Sequence, residues 1–242
     1  MRLKLIACEV LFRELCDACA HSPHQVDVEF LPKGLHDLGG IPMAAKIQKA
    51  IDRTPEPLYD AILLGYGLCG NGLDGITARH TKLVLPRAHD CIALLMGGIA
   101  NHQDYFDEHP GAIYRSTGWI ERGKDLQQLT RGAQTLDQKL ESLIERYGED
   151  NGRYLYAELN RYQAQYTTLV FIETGLEPGS QFLDQAAAEA RAKGWVFEQV
   201  TGSLEWLRRL VHGDWPHTEF VIAPPGYRIR ASYDTGVVQV QK

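Results

Sequence analysis

Three cysteines set the chemical question. Cys8 ends the run LKLIAC, Cys69 sits in LLGYGLCGNG, and Cys91 follows LVLPRAHD, so each stands at or just past an apolar segment that reads as a buried strand. In an open parallel sheet the carboxyl ends of the strands share one edge, and ligands bind along that edge. The three thiols are therefore expected to face one crevice. His36, in LPKGLHD, follows another strand on the same edge, and His89 lies two residues before Cys91. Thiolates and imidazoles converging on one point suit a soft or borderline metal: zinc, or an iron–sulfur cluster with one iron left open. The expected ligands are Cys8, Cys69, Cys91 and His36. Cys8 and Cys91 also fall at predicted helix N-termini, where free amides and the helix dipole favour thiolate over thiol.

Other residue types at that edge suit supporting roles. The glycines around Cys69, among them Gly67 and Gly70, let backbone approach a ligand closely and offer amide donors. Tyr66 and Asn71 are candidate pocket residues. Arg87 suits a carboxylate or phosphate, or a pairing with Asp90; Asp90 suits holding the His89 ring in one tautomer. Glu173, in FIETG, occupies a strand-end position late in the chain and is a candidate to close the cleft. The same residues allow a metal-free alternative, with Cys69 or Cys91 as nucleophile, His89 as base and the glycine-loop amides as an oxyanion hole. Cys16 and Cys19 share a predicted helix face with Leu11, Phe12 and Leu15 and read as core.

The elements that must hold these residues alternate. Strand and helix signals follow one another through residues 1–123, which carry the cysteines and most candidate residues. Residues 124–166 are polar and rich in helix formers, reading as a connector of two helices joined near YGEDNGR. Residues 167–242 resume the alternation with TTLVFIET, QFLDQAAAEARAKG, WVFEQV, LEWLRRLVHG and FVIAPPG, and the last dozen residues read as a hairpin or a tail. The fold class expected is α/β, doubly wound, with mostly parallel sheets in two Rossmann-like halves and a cleft between them.

Composition narrows the partners. The 242 residues are 44% hydrophobic and 23% charged with a formal net charge of −6, and no basic cluster is visible, which argues against nucleic acid. No run approaches the roughly 20 apolar residues of a membrane span, and MRLKLIACEV is too short a hydrophobic start for a signal peptide, so a cytoplasmic location without membrane contact is expected. An odd number of cysteines, five, reads as thiols rather than a disulfide framework. GYGLCGNG lacks the lysine of a phosphate loop, so a nucleotide is not suggested. The helical connector is a candidate homodimer interface or lid.

The motifs LLGYGLCGNG, LPRAHDC, YFDEHPGAIYRSTGWIERG and GDWPHTEFVIAPPG together resemble the pattern of the domain of unknown function 1638 family, over nearly the whole chain. Residues typical of that family match here at Cys8, His36, Cys69, Asn71, Arg87, His89, Asp90, Cys91, Trp119 and Glu121, whereas Cys16 and Cys19 stand outside the shared pattern. The resemblance implies a setting beside corrinoid-dependent methyltransferases and corrinoid proteins. The expected function is then a metalloprotein with a thiolate-rich site serving methyl-group or corrinoid metabolism, with a small-molecule ligand or a corrinoid protein as partner. A non-enzymatic accessory protein that holds a corrinoid or another small molecule is the further alternative.

Overall fold

Leu3, Leu5 and Ala7 of the first strand pack into one core while Ile6 packs into another on the opposite face, so β1 (Arg2–Cys8) is covered on both sides. The same division holds in β3 (Ala61–Gly65), where Ala61 and Leu63 face one core and Ile62 and Leu64 the other. Such doubly buried strands belong in the middle of a parallel sheet. The computed structural model describes residues 1–98, 105, 108–109, 111–122, 139–159, 165–232 and 236–242. Its first sheet has the order β2-β1-β3-β4-β8. Strands β2 (Gln25–Leu31), β1, β3 and β4 (Leu83–Pro86) run parallel, and β8 (Phe220–Ala223) closes the edge antiparallel to β4.

A short 3-10 turn (Glu9–Leu11) leads into helix α1 (Phe12–Ala20), and a second (Lys33–Leu38) precedes α2 (Gly40–Asp52). The five-residue α3 (Cys91–Leu95) follows β4. A second sheet holds β5 (Ala112–Ser116), β6 (Thr168–Glu173) and β7 (Val196–Thr201), all parallel, with helices α4 (Thr117–Glu121) and α7 (Gln181–Lys193) against it, whereas α8 (Glu205–His212) packs on α1, β3 and β4. A hairpin of β9 (Arg228–Ala231) and β10 (Val238–Gln241) ends the chain. The described part of the connector is two helices, α5 (Lys139–Tyr147) and α6 (Glu149–Leu159). Among the described residues, no helix is long and apolar enough to cross a membrane.

The chain is α/β with mostly parallel sheets, as its alternation of elements predicts. Strand pairing nevertheless crosses the boundaries read from sequence in both directions. The unexpected strand Ala112–Ser116 pairs with β6, and Phe220–Ala223 leaves the late segment to join the first sheet. The sheets share a core in which Ala112, Tyr114, Val170 and Ile172 meet Leu94, Met96 and Trp206.

One backbone contact fixes how the second sheet meets the carboxyl edge of the first. A Cβ at Gly118 would lie 1.8 Å from the carbonyl oxygen of Val10, so only glycine lets α4 sit on the turn after β1. The bidentate pair of Arg13 with Glu121, both contacts at 2.9 Å, braces the same junction. Gly118→Ala is expected to lower stability by about 3 kcal/mol, because backbone cannot yield as a side chain does. Urea unfolding monitored by circular dichroism measures the change.

Candidate functional site

The loop carrying Cys69 is held to the loop carrying Cys91 by backbone hydrogen bonds. Leu68 N–H donates to the Ala88 carbonyl and Cys69 N–H to the His89 carbonyl, both at 2.8 Å. A Cβ at Gly67 would lie 2.5 Å from the Asp90 Cα, so this approach requires glycine. The chain then turns through three successive left-handed residues, Cys69 (φ +46°), Gly70 (φ +63°) and Asn71 (φ +68°). Cysteine has no intrinsic preference for that region, and strained backbone of this kind concentrates at functional sites.

Cys8, at the end of β1, thereby shares one small chamber with Cys69 and Cys91. Lys33, Tyr66 and Trp119 also line it, and its volume is about 20 Å³. The Trp119 of α4 brings the second sheet against this edge. Lys33 is almost fully buried; its ammonium donates to the Trp119 carbonyl at 2.7 Å and lies 4.7 Å from the Trp119 ring centroid. The Lys33 backbone N–H donates to the Glu9 carboxylate at 2.9 Å. The Tyr66 hydroxyl is buried and has no hydrogen-bond partner among the described residues.

Burial dominates the electrostatics. Desolvation pushes the Cys8 thiol up to about 11, against a smaller opposing contribution from the Val10 amide. Cys69 is pushed up to about 12, first by burial and then by the neighbouring Cys8 and Asp90. Cys91 is raised by burial and by Cys69, Asp90 and Cys8, with only partial relief from Trp119. The expectation that helix ends depress Cys8 and Cys91 is corrected: the elements beginning there span only three and five residues, and their amides do not offset the loss of water.

The other candidates have different occupations. Asp90 does not hold the His89 ring: its Oδ1 accepts from Ile92 and Ala93 N–H at 3.0 and 2.9 Å, capping α3. His89 is exposed and does not line the chamber. Arg87 does not pair with Asp90; it donates to the carbonyls of His217, Gly236 and Val238, tying the C-terminal strands to β4. Asn71 and Gly70 are exposed, and Asn71 lines a separate polar pocket with Asp74 and Arg230. Glu173 accepts from Gln199 Nε2 at 2.6 Å and does not line the chamber. Cys19 packs against the core as read, whereas Cys16 is exposed.

The His36 side chain lies outside the described residues. Among the described residues, no group of three His, Cys, Asp or Glu side chains is set at metal-holding geometry. Lys33, unremarked in the sequence, obeys the same rule that singled out His36, standing just past the end of β2.

The fold and the chamber define a mostly parallel α/β protein in which three cysteines share one chamber at a strand-end edge. The chain belongs to the family described as Protein of unknown function (DUF1638), whose profile matches residues 30–211. No match among curated proteins was found. A solved structure, the thioesterase domain from the curacin biosynthetic pathway, is 10% identical with 88% of each chain covered and a TM-score of 0.21. A likeness that loose carries no argument.

Two outcomes are expected of the metal-free protein. Cys69→Gly should be about 1 kcal/mol more stable than Cys69→Ala, the reverse of the usual order, because glycine alone adopts the left-handed turn without strain. Equal stability in urea would mean the turn relaxes. The raised thiols also set a pH dependence. Protons are held more tightly folded than unfolded, so their stabilisation is complete below the unfolded cysteine value of about 8.5 and declines as pH rises toward 11 and 12. Between pH 8 and 10 the wild type should lose stability more steeply than the Cys8→Ala/Cys69→Ala variant, by at most about 1.4 kcal/mol per pH unit for each thiol.

Proposed function

We propose that the protein is a metalloprotein in which Cys8, Cys69 and Cys91 hold one soft or borderline cation, of zinc type, at the carboxyl edge of the first sheet. The observation that carries this reading is the shared chamber: three cysteines, from the end of β1 and from the loops after β3 and β4, line one space of about 20 Å³. That is room for a single water-sized centre, which favours one ion over an iron–sulfur cluster. Three protein ligands leave a fourth tetrahedral position for water or for a donor atom of substrate. Binding requires the sulfurs to turn toward a common point as their protons leave.

Electrostatics supports the same reading. Thiols pushed to about 11 and 12 are almost wholly protonated at neutral pH and are poor nucleophiles. A dication beside them favours the thiolates and offsets the cost of burying their charge. The metal-free alternative loses the base assigned to it, since His89 is exposed and outside the chamber. Methyl-group and corrinoid metabolism is the proposed setting, because a metal-held thiolate is suited to accept a methyl group; a corrinoid protein or a small methyl donor is the proposed partner.

Metal analysis of protein purified without oxygen tests this. Near-stoichiometric zinc is expected, lost from the Cys8→Ser/Cys69→Ser/Cys91→Ser variant and retained in Cys16→Ser and Cys19→Ser. Metal retained in the triple variant, or protein that takes up neither zinc nor cobalt(II), would refute the site. Iron with acid-labile sulfide would overturn the single-ion assignment.

A further inference from the structure

On the far side of the Pro32–Leu35 turn lies a second and much larger space. Pro32 and Leu35 line both it and the thiol chamber, so this one turn is the wall between them. The second space is a groove of about 270 Å³ whose apolar side is formed by Leu31, Pro32, Leu35 and Leu38. Its opposite rim carries Lys46, Lys49 and Arg53. Lys46 and Lys49 belong to α2 and Arg53 follows its last residue, so the spacing of three and then four sets all of them along one side of the helix. The inward side of α2 is apolar, with Met43, Ile47, Ala50 and Ile51 in the core.

The rim is basic in a chain that is acidic as a whole. The chain carries a net charge of −6 and most of its described arginines are paired with carboxylates. Arg53 is engaged with Glu29 at 2.6 Å. Among the described residues, neither Lys46 nor Lys49 has a carboxylate partner. Two exposed ammonium groups therefore face an apolar concavity large enough for a compact organic molecule.

We propose that this groove binds a small molecule with an apolar body and one anionic group, a carboxylate, phosphate or sulfonate, seated with the body on Leu31, Pro32, Leu35 and Leu38 and the anion at Lys46 and Lys49. The groove requires no metal. Its position across one turn from the three cysteines makes it the seat of the substrate only if the thiol chamber is the reactive site, and that part rests on the reading given above.

Fluorescence titration with anilinonaphthalene sulfonate, an aromatic body bearing one sulfonate, tests the groove on the full chain. Saturable one-to-one binding is expected, weakened about tenfold by Lys46→Glu/Lys49→Glu and by raised salt. Neutral N-phenylnaphthylamine should bind more weakly and be indifferent to the charge reversal. The Cys8→Ser/Cys69→Ser/Cys91→Ser variant should bind the sulfonate as the wild type does, so a chain that holds zinc yet ignores the probe would sink the groove alone, and a chain that binds the probe without metal would sink the metal site alone. Unchanged affinity in the double charge reversal would overturn the assignment of the anion to Lys46 and Lys49. Sedimentation with phosphatidylglycerol vesicles, in the absence of sulfonate binding, would reassign the rim to a membrane surface and overturn the proposal.

Discussion

The site depends on the direct contact of two loops at Gly67 and Asp90. Backbone meets backbone there, and two hydrogen bonds of 2.8 Å from Leu68 and Cys69 to the carbonyls of Ala88 and His89 lock the approach. With it, a left-handed turn beginning at Cys69 brings that thiol to the space shared by Cys8 and Cys91. The glycines of LLGYGLCGNG thus serve a steric purpose: Gly67 removes the side chain that would keep the loops apart, and Gly70 eases the reversal that follows.

A second contact completes the enclosure. Gly118 rests on the Val10 carbonyl, which brings Trp119 from the helix after β5 against the thiols, with Lys33 beneath its ring. Two sheets therefore contribute to one small volume, and the exclusion of water that results governs its chemistry. Loss of solvent raises all three thiols more than nearby hydrogen-bond donors, and at Cys8 the Lys33 ammonium, lower them. Reactive cysteines normally sit in electropositive places that lower their pKa; here Cys91 is buried, Cys8 and Cys69 are half-buried and all three thiols are raised, and in the proposed reading a bound cation would ionise them.

The arrangement of the three cysteines was legible because it needs only the placement of strands. Apolar runs located β1, β3 and β4, and the common edge of a parallel sheet placed Cys8, Cys69 and Cys91 together. The orientation of side chains was not legible. Asp90 caps a helix rather than holding His89, and Arg87 reaches main-chain carbonyls that arrive from more than a hundred residues away. The pairing of strands was hidden for the same reason. AIYRS is a five-residue run whose partner, β6, lies beyond the connector, and FVIA reads identically whether it runs parallel or antiparallel. Trp119 stood out only through the family resemblance, since nothing in its local pattern indicates that α4 packs on the turn after β1.

X-ray absorption at the metal edge of the protein as purified tests the central claim most directly. The account predicts a zinc first shell of about three sulfurs at about 2.3 Å with one lighter atom. A first shell made only of nitrogen and oxygen would contradict it, whatever the metal content.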